Sequence, residues 1–271
     1  MVRSRVLLLV ALLCSLPIAP GTSHAADSAA AVGEKNAAKP IRALLITGGP
    51  FHDYAKQKEI LTKGISARAP VEWTIADEAS DKREHKHSIY SKPEWWKGYD
   101  VIVHDECFGF VEDDAFIEAI VKVHQDGVPV VAIHCAVHSY RKAKTRAWSE
   151  MLGIRSEAHG PKQDIAVTYN AKIDHPITKG LANWTSAKDE LYNNIKIYEK
   201  TTPLATGKQG DTEAVVAWTN DFHGVRVFVT TLGHTNETVN DPHYLDLITR
   251  GLLWAVNRMD DVKAKEAAPV K

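Results

Sequence analysis

Apolar residues fall in short, near-continuous runs, separated by stretches in which they recur at helical spacing. Residues 41–47 (IRALLIT), 71–76, 99–104 (YDVIVH) and 128–133 (VPVVAI) form such runs. Runs of this kind predict strands covered on both faces, the habit of parallel sheets. Tyr54, Ile60, Leu61 and Ile65 predict a helix over 54–67, and Phe116, Ile117, Ile120, Val121 and Val123 predict another that ends near Gly127. The order strand, helix, strand, strand, helix, strand, helix is the rhythm of a mostly parallel, doubly wound α/β sheet. The second half is less regular. Residues 165–169 alternate like a half-exposed strand, and 214–218 with 225–231 predict an antiparallel pair around the turn 220–224. Leu245, Ile248, Leu252 and Leu253 place a last helix from about Pro242 to Val256. Residues 77–93, and the stretch carrying Glu190 and Tyr192, read as loops.

The run at 128–133 stops abruptly at His134 and Cys135, and the pattern then continues as a helix towards Trp148 and Leu152. A strand that ends in reactive side chains and turns into a helix puts them at the carboxyl edge of an open sheet, where α/β folds bind ligands. Three further clusters fall at expected strand ends: His52-Asp53, His104-Asp105-Glu106-Cys107 and Gly233-His234-Thr235. Parallel strands point their carboxyl ends the same way, so clusters distant in sequence meet over one crevice. Any one histidine is usually a surface or core residue; four clusters at equivalent positions point to a pocket.

Neutral histidines beside carboxylates hold divalent transition metals or shuttle protons. The candidate catalytic set is His134, His234, Glu190, His52 and Asp53, with His138, Tyr192, Thr235 and Glu106 as candidate substrate contacts. His134, His234 and Glu190 are the candidate metal ligands, and a divalent transition metal is the cofactor they would take. The alternative nucleophile is Cys135 at a helix N-terminus with His234 as its base. Packing as two separate buried thiols is the favoured reading of Cys107 and Cys135, with a disulfide between them the minority reading. Trp95 and Trp184, in expected loops, are candidates for stacking on a sugar; Trp148 and Trp254 read as core.

The chain has 271 residues, 44% hydrophobic and 25% charged, with net charge −1. One large soluble domain fits that size and balance. The charge argues against nucleic acid as a partner and against a basic membrane-surface helix. Arg3 and Arg5, the apolar run 6–13 and Ser23-His24-Ala25 predict a secretory signal peptide over 1–25. The run is too short to span a ~30 Å bilayer core. Residues 26–40 read as a flexible leader, 41–257 as the domain and 258–271 as a charged tail. The mature protein is expected in the periplasm or secreted, without stable membrane association.

From Arg42 to Asn257 the sequence resembles the ThuA-like (trehalose utilisation) family. The resemblance rests on TGGPFHDY at 47–54, AIHCAVHSYR at 132–141, HPITKGL at 175–181, DELY at 189–192, RVFVTTLGHT at 226–235 and LLWA at 252–255. It implies the flavodoxin-like core of class I glutamine amidotransferases. Those enzymes carry a cysteine at the elbow after the central strand; here His134 stands there and Cys135 comes one residue late. Their later His-Pro-Glu pattern becomes His234-Thr235-Asn236. The resemblance therefore implies the fold and argues against glutamine hydrolysis. It implies a role in sugar catabolism; together with the clustered histidines, this makes the leading expectation a histidine-based, metal-assisted isomerase, lyase or hydrolase acting on a sugar or keto-glycoside. A non-catalytic sugar-binding module and a cysteine hydrolase using Cys135 are the alternatives.

Overall fold

A computed structural model describes residues 39–262. The expected signal peptide, nearly all of the leader and the end of the tail lie outside those residues. A nine-stranded mixed sheet forms the centre, in the order β2-β1-β3-β4-β11-β10-β9-β6-β7. Its first part consists of β1 (Ile41–Gly48), β2 (Val71–Asp77), β3 (Val101–Glu106), β4 (Val130–Ile133) and β11 (Val225–Thr230). These five run parallel, in the 2-1-3-4-5 arrangement of flavodoxin-like folds. The second part is antiparallel: β10 (Thr212–Phe222), β9 (Thr201–Gln209), β6 (His159–Tyr169) and β7 (Trp184–Tyr192). The expected pair around the turn 220–224 is β10 and β11. A small second sheet joins β5 (Ile154–Arg155) to β8 (Lys196–Ile197).

Helices cover both faces because the parallel strands are apolar on both. In β1, Ile41, Ala43 and Leu45 face one core and Leu44 and Ile46 the other. The first core takes Leu61 and Ile65 from α1 (Tyr54–Ser66) and Leu247, Ile248 and Leu252 from α5 (Pro242–Ala255). The second takes Ile117, Ile120 and Val121 from α2 (Asp114–Gln125) and Trp148, Met151 and Leu152 from α3 (Ala147–Leu152). The contact of α5 with the sheet is close: a Cβ on Gly251 would stand 2.1 Å from the Phe228 ring of β11. Trp148 is core as expected. Trp95 and Trp184 are buried too, so neither is free to stack on a sugar. No helix among the described residues is long and apolar enough to cross a membrane.

The structure corrects two expectations about elements. The helix after β4 does not follow directly: His134–His138 is a single 3-10 turn, and α3 begins only at Ala147. His134 (φ 45°) and Tyr140 (φ 61°) adopt left-handed backbone that no helix continues through. Glu190 and Tyr192 are not on a loop but end β7, where the antiparallel part of the sheet returns to the carboxyl edge of the parallel part.

Candidate functional site

Four chain segments deliver the side chains. β4 ends at Ile133, and His134 sits at the sharp elbow that follows, buried, with a positive φ that a non-glycine residue adopts at a cost. Its Nδ1 lies 2.7 Å from the carbonyl of Thr231. A carbonyl only accepts, so Nδ1 carries the proton and Nε2 is left with a lone pair. β11 leads through Thr231 to Gly233 and His234. Gly233 has φ 121°, and a Cβ there would meet Tyr244 Oη at 2.6 Å. Glycine alone fits this approach. Asp189, fully buried, accepts from the amides of Gly233 (2.8 Å) and His234 (3.2 Å), and Gln57 Nε2 donates to the carbonyls of both. His52 arrives from the loop after β1, where a Cβ on Gly49 would press the Cys107 carbonyl at 2.9 Å.

The three imidazoles converge. Ring centroids are 4.7 Å apart for His52–His134, 4.8 Å for His52–His234 and 5.4 Å for His134–His234. One nitrogen from each can be chosen so that all three lie within 4.8 Å of one another. Both nitrogens of His52, Nε2 of His134 and Nδ1 of His234 are buried without a hydrogen-bond partner. Glu190 Oε2 faces the group, 3.3 Å from His234 Nδ1, 3.8 Å from His134 Nε2 and 3.6 Å from His159 Nε2. Burial, aided by the charges its neighbours can take, lowers the pKa of His52 to about 2. Burial also lowers His134, against the pull of Asp189 and the Thr231 carbonyl. For Glu190 burial acts upward, but contact with His234 and the neighbouring histidines prevails and keeps it below the usual carboxylate range. The centre thus brings three imidazoles, of which burial keeps His52 and His134 neutral, beside one carboxylate, a donor set suited to zinc, nickel, iron or copper. The hydrogen bond from His134 Nδ1 to a carbonyl fixes the tautomer that a metal ligand needs.

The group lies at a cleft of about 360 Å³ at the carboxyl edge, lined among others by His52, His234 and Glu190. That volume is in the ~300–1,000 Å³ range of small-molecule sites. His138 and Tyr192 line it as well, their rings stacked 3.9 Å apart. Three other expected site residues serve elsewhere. Asp53 caps α1, accepting from the Lys56 amide, and also accepts from Asn236 Nδ2. Thr235 caps the short helix α4 (Asn236–Val239) and bonds the Ala187 carbonyl. Glu106 lies inside β3, fully buried, with Tyr90 and His104 on its Oε1. Adjacency in sequence points all three at the site, whereas their side chains turn to these other partners.

The two cysteines are joined. Cys107 and Cys135 form a disulfide with Cα atoms 5.2 Å apart, on the cleft wall. The expectation of separate thiols fails because β3 and β4 are neighbours and end side by side. Paired, Cys135 has no thiolate to offer as a nucleophile. Residues missed in the sequence are Asp189, His159 and the cleft side chains Phe51, Phe110, Arg83, Arg141 and Lys162. Strand alternation was the signal available for Asp189: in a strand, it and Glu190 point to opposite faces.

The sequence profile of the ThuA family, described as trehalose utilisation, matches residues 42–255. The chain belongs to the ThuA family. A ThuA-like protein from Parabacteroides merdae ATCC 43184 shares the fold with a TM-score of 0.67 at 21% identity, over 84% of this chain and 93% of that one. A ThuA-like protein from Bacteroides uniformis ATCC 8492 follows with 0.62 and 16%, over 81% and 93%. A cold-adapted β-galactosidase from Rahnella sp. R3 shares the fold with 0.53 and 12%, over 81% of this chain and 31% of the enzyme. No curated protein sequence matches the chain. The matched residues include the elbow of His134 and the His234 that follows β11.

Proposed function

We propose that this protein is an exported enzyme that moves protons on a sugar or keto-glycoside, at a centre where His52, His134 and His234 hold a divalent transition metal beside Glu190. The observation that carries the reading is the convergence of three imidazoles with unpartnered nitrogens and one carboxylate at a cleft. Membership of the ThuA family supports a carbohydrate-related role. The basic-apolar-small pattern of the first 25 residues supports export.

A bound divalent ion supplies Lewis acidity towards a carbonyl or hydroxyl oxygen. The protein's own groups do the rest. Glu190, ionised at neutral pH, takes a proton from the carbon or hydroxyl beside that oxygen. His234, in contact with Glu190, holds its carboxylate in place. Asp189 holds the Gly233–His234 backbone in place, and the Thr231 carbonyl holds His134. Removing a proton next to a ketone leads to isomerisation or to β-elimination of a glycosidic group. The paired state of Cys135 sets the cysteine-hydrolase reading aside.

The test is turnover across a panel of glycosides and 3-keto-glycosides. His134→Ala and His234→Ala each lower turnover by at least ~10²-fold, the low end for a general acid–base group, with little change in melting temperature. Turnover that survives both substitutions overturns the proposal.

A further inference from the structure

The cleft wall holds three cations and one carboxylate. Arg83, Arg141 and Lys162 line it with Glu190. None of the three cations has a carboxylate within ion-pair distance among the described residues. Elsewhere Lys58, Arg68, Lys86 and Arg155 each have a carboxylate partner.

Arg141 is positioned by neutral groups. Its Nη1 donates to His138 Nδ1 at 3.2 Å and to the Glu157 carbonyl at 3.0 Å. Guanidinium only donates, so Nδ1 of His138 is the acceptor and its Nε2 carries the proton. Nε2 then donates to Ser156 Oγ at 2.8 Å, and Ser156 donates to Asn193 Oδ1 at 3.0 Å. Burial, with the Arg141 charge beside it, lowers the pKa of His138 to about 2, which keeps this chain of bonds neutral. The stacked Tyr192 ring fixes the His138 plane. Gly109 leaves room for the guanidinium: a Cβ there would stand 3.3 Å from Arg141 Nε. The result is an arginine held in one place with its charge uncompensated, and with Nε and Nη2 free of protein partners among the described residues. Arg83 is held in a second way, over the rings of Phe51 (4.8 Å) and Phe110 (5.3 Å). Lys162 stands opposite Glu190 in the β6–β7 register.

We infer that Arg141, with Arg83 and Lys162, selects a saccharide bearing an anionic group, a carboxylate or a phosphate, for the cleft. The inference deepens the proposed function by naming the substrate class, and rests on that reading for the sugar. A planar guanidinium with two adjacent free donors matches the paired oxygens of a carboxylate or phosphate. Glu190 alone does not balance three cations, so the anion comes with the ligand.

The test is binding, measured by calorimetry on metal-free, chelator-dialysed protein. The first pair of probes is methyl β-glucuronide against methyl β-glucoside; the second is glucose 6-phosphate against glucose. The acidic member of at least one pair is expected to bind at least ~10-fold tighter, about 1.4 kcal/mol, with a ratio that shrinks as salt is raised. Preference in the first pair identifies a sugar acid, in the second a sugar phosphate. The Arg83→Gln/Arg141→Gln variant brings the ratio close to one, and Arg141→Lys keeps part of it. Equal binding of acidic and neutral members in the native protein, or a preference untouched in the double variant with its fold intact by circular dichroism, overturns the inference. Because the protein is metal-free, failure of the metal-centre reading leaves this outcome unaffected.

Discussion

His134 carries most of the argument at the level of single residues. Its place at the elbow is legible from sequence, since an apolar run that stops at a histidine has few other readings. Its convergence with His234 and His52 follows from parallel strands sharing one edge. The roles of Asp53, Thr235 and Glu106 were not legible. Each adjoins a site residue or lies in a polar cluster, yet each turns its side chain to a cap or a closed network. The disulfide makes a prediction at this scale. Replacing both Cys107 and Cys135 by Ser releases a loop of 28 residues in sequence separation. The chain-entropy treatment puts that loss at about 3–4 kcal/mol. Denaturant unfolding of the double variant is expected to show a loss of that order, with turnover kept within ~10-fold of the native enzyme. Abolished turnover in a folded double variant would return the thiol to the mechanism.

Among the elements, the parallel strands and their helices were readable because burial on both faces writes an unbroken apolar run. The antiparallel wing was readable in part: the end of β6 and the β10–β11 pair were legible, but β7 was not, because it mixes exposed and buried positions and pairs with β6 through register shifts. Hence the pattern around Glu190 reads as a loop. Two predictions belong here. Gly251→Ala places a methyl where the Phe228 ring already stands and is expected to cost about 1–3 kcal/mol, read as a lower melting temperature. A variant as stable as the native chain would mean that α5 can shift off β11. The second concerns acid. His124 of α2 is fully buried, bonds the Val128 carbonyl through Nδ1 at 2.9 Å and lies 3.0 Å from His104 Nε2; burial lowers its pKa to about 3. Its folded-state pKa is below its unfolded value near 6.5. Its stabilising contribution is therefore present above about pH 6.5 and is lost as pH falls towards 3, at up to about 1.4 kcal/mol per pH unit. His52 and His138 act with the same sign. Asp105 opposes them, since burial raises its pKa to about 8 and the folded form holds a proton that the unfolded chain has released. His134 and His175 are lowered as well, and Asp189 is raised like Asp105; five histidines outweigh two carboxyls, so the melting temperature is expected to fall between pH 6.5 and 4.5. His124→Gln should flatten that slope; an unchanged slope would show that His124 takes up its proton without unfolding.

Over the whole molecule, a five-stranded parallel half supplies the edge and an antiparallel half returns Glu190 and Tyr192 to it. The proposed export would give the Cys107–Cys135 pair the oxidising surroundings in which disulfides persist. N-terminal sequencing of the exported protein is expected to start near Ala26; a chain still beginning at Met1 would remove the export proposal. The central claim is that His52, His134 and His234, with Glu190, form one metal-binding centre. Metal analysis of the purified protein, after dialysis against zinc, manganese, iron or nickel, tests it most directly. About one tightly held divalent ion per chain is expected, as for a single three-histidine site. It should be lost in His134→Ala and in His52→Ala and kept in the double cysteine variant. A correctly folded native chain that retains none of these ions, or a His134→Ala variant that retains them all, would contradict the account.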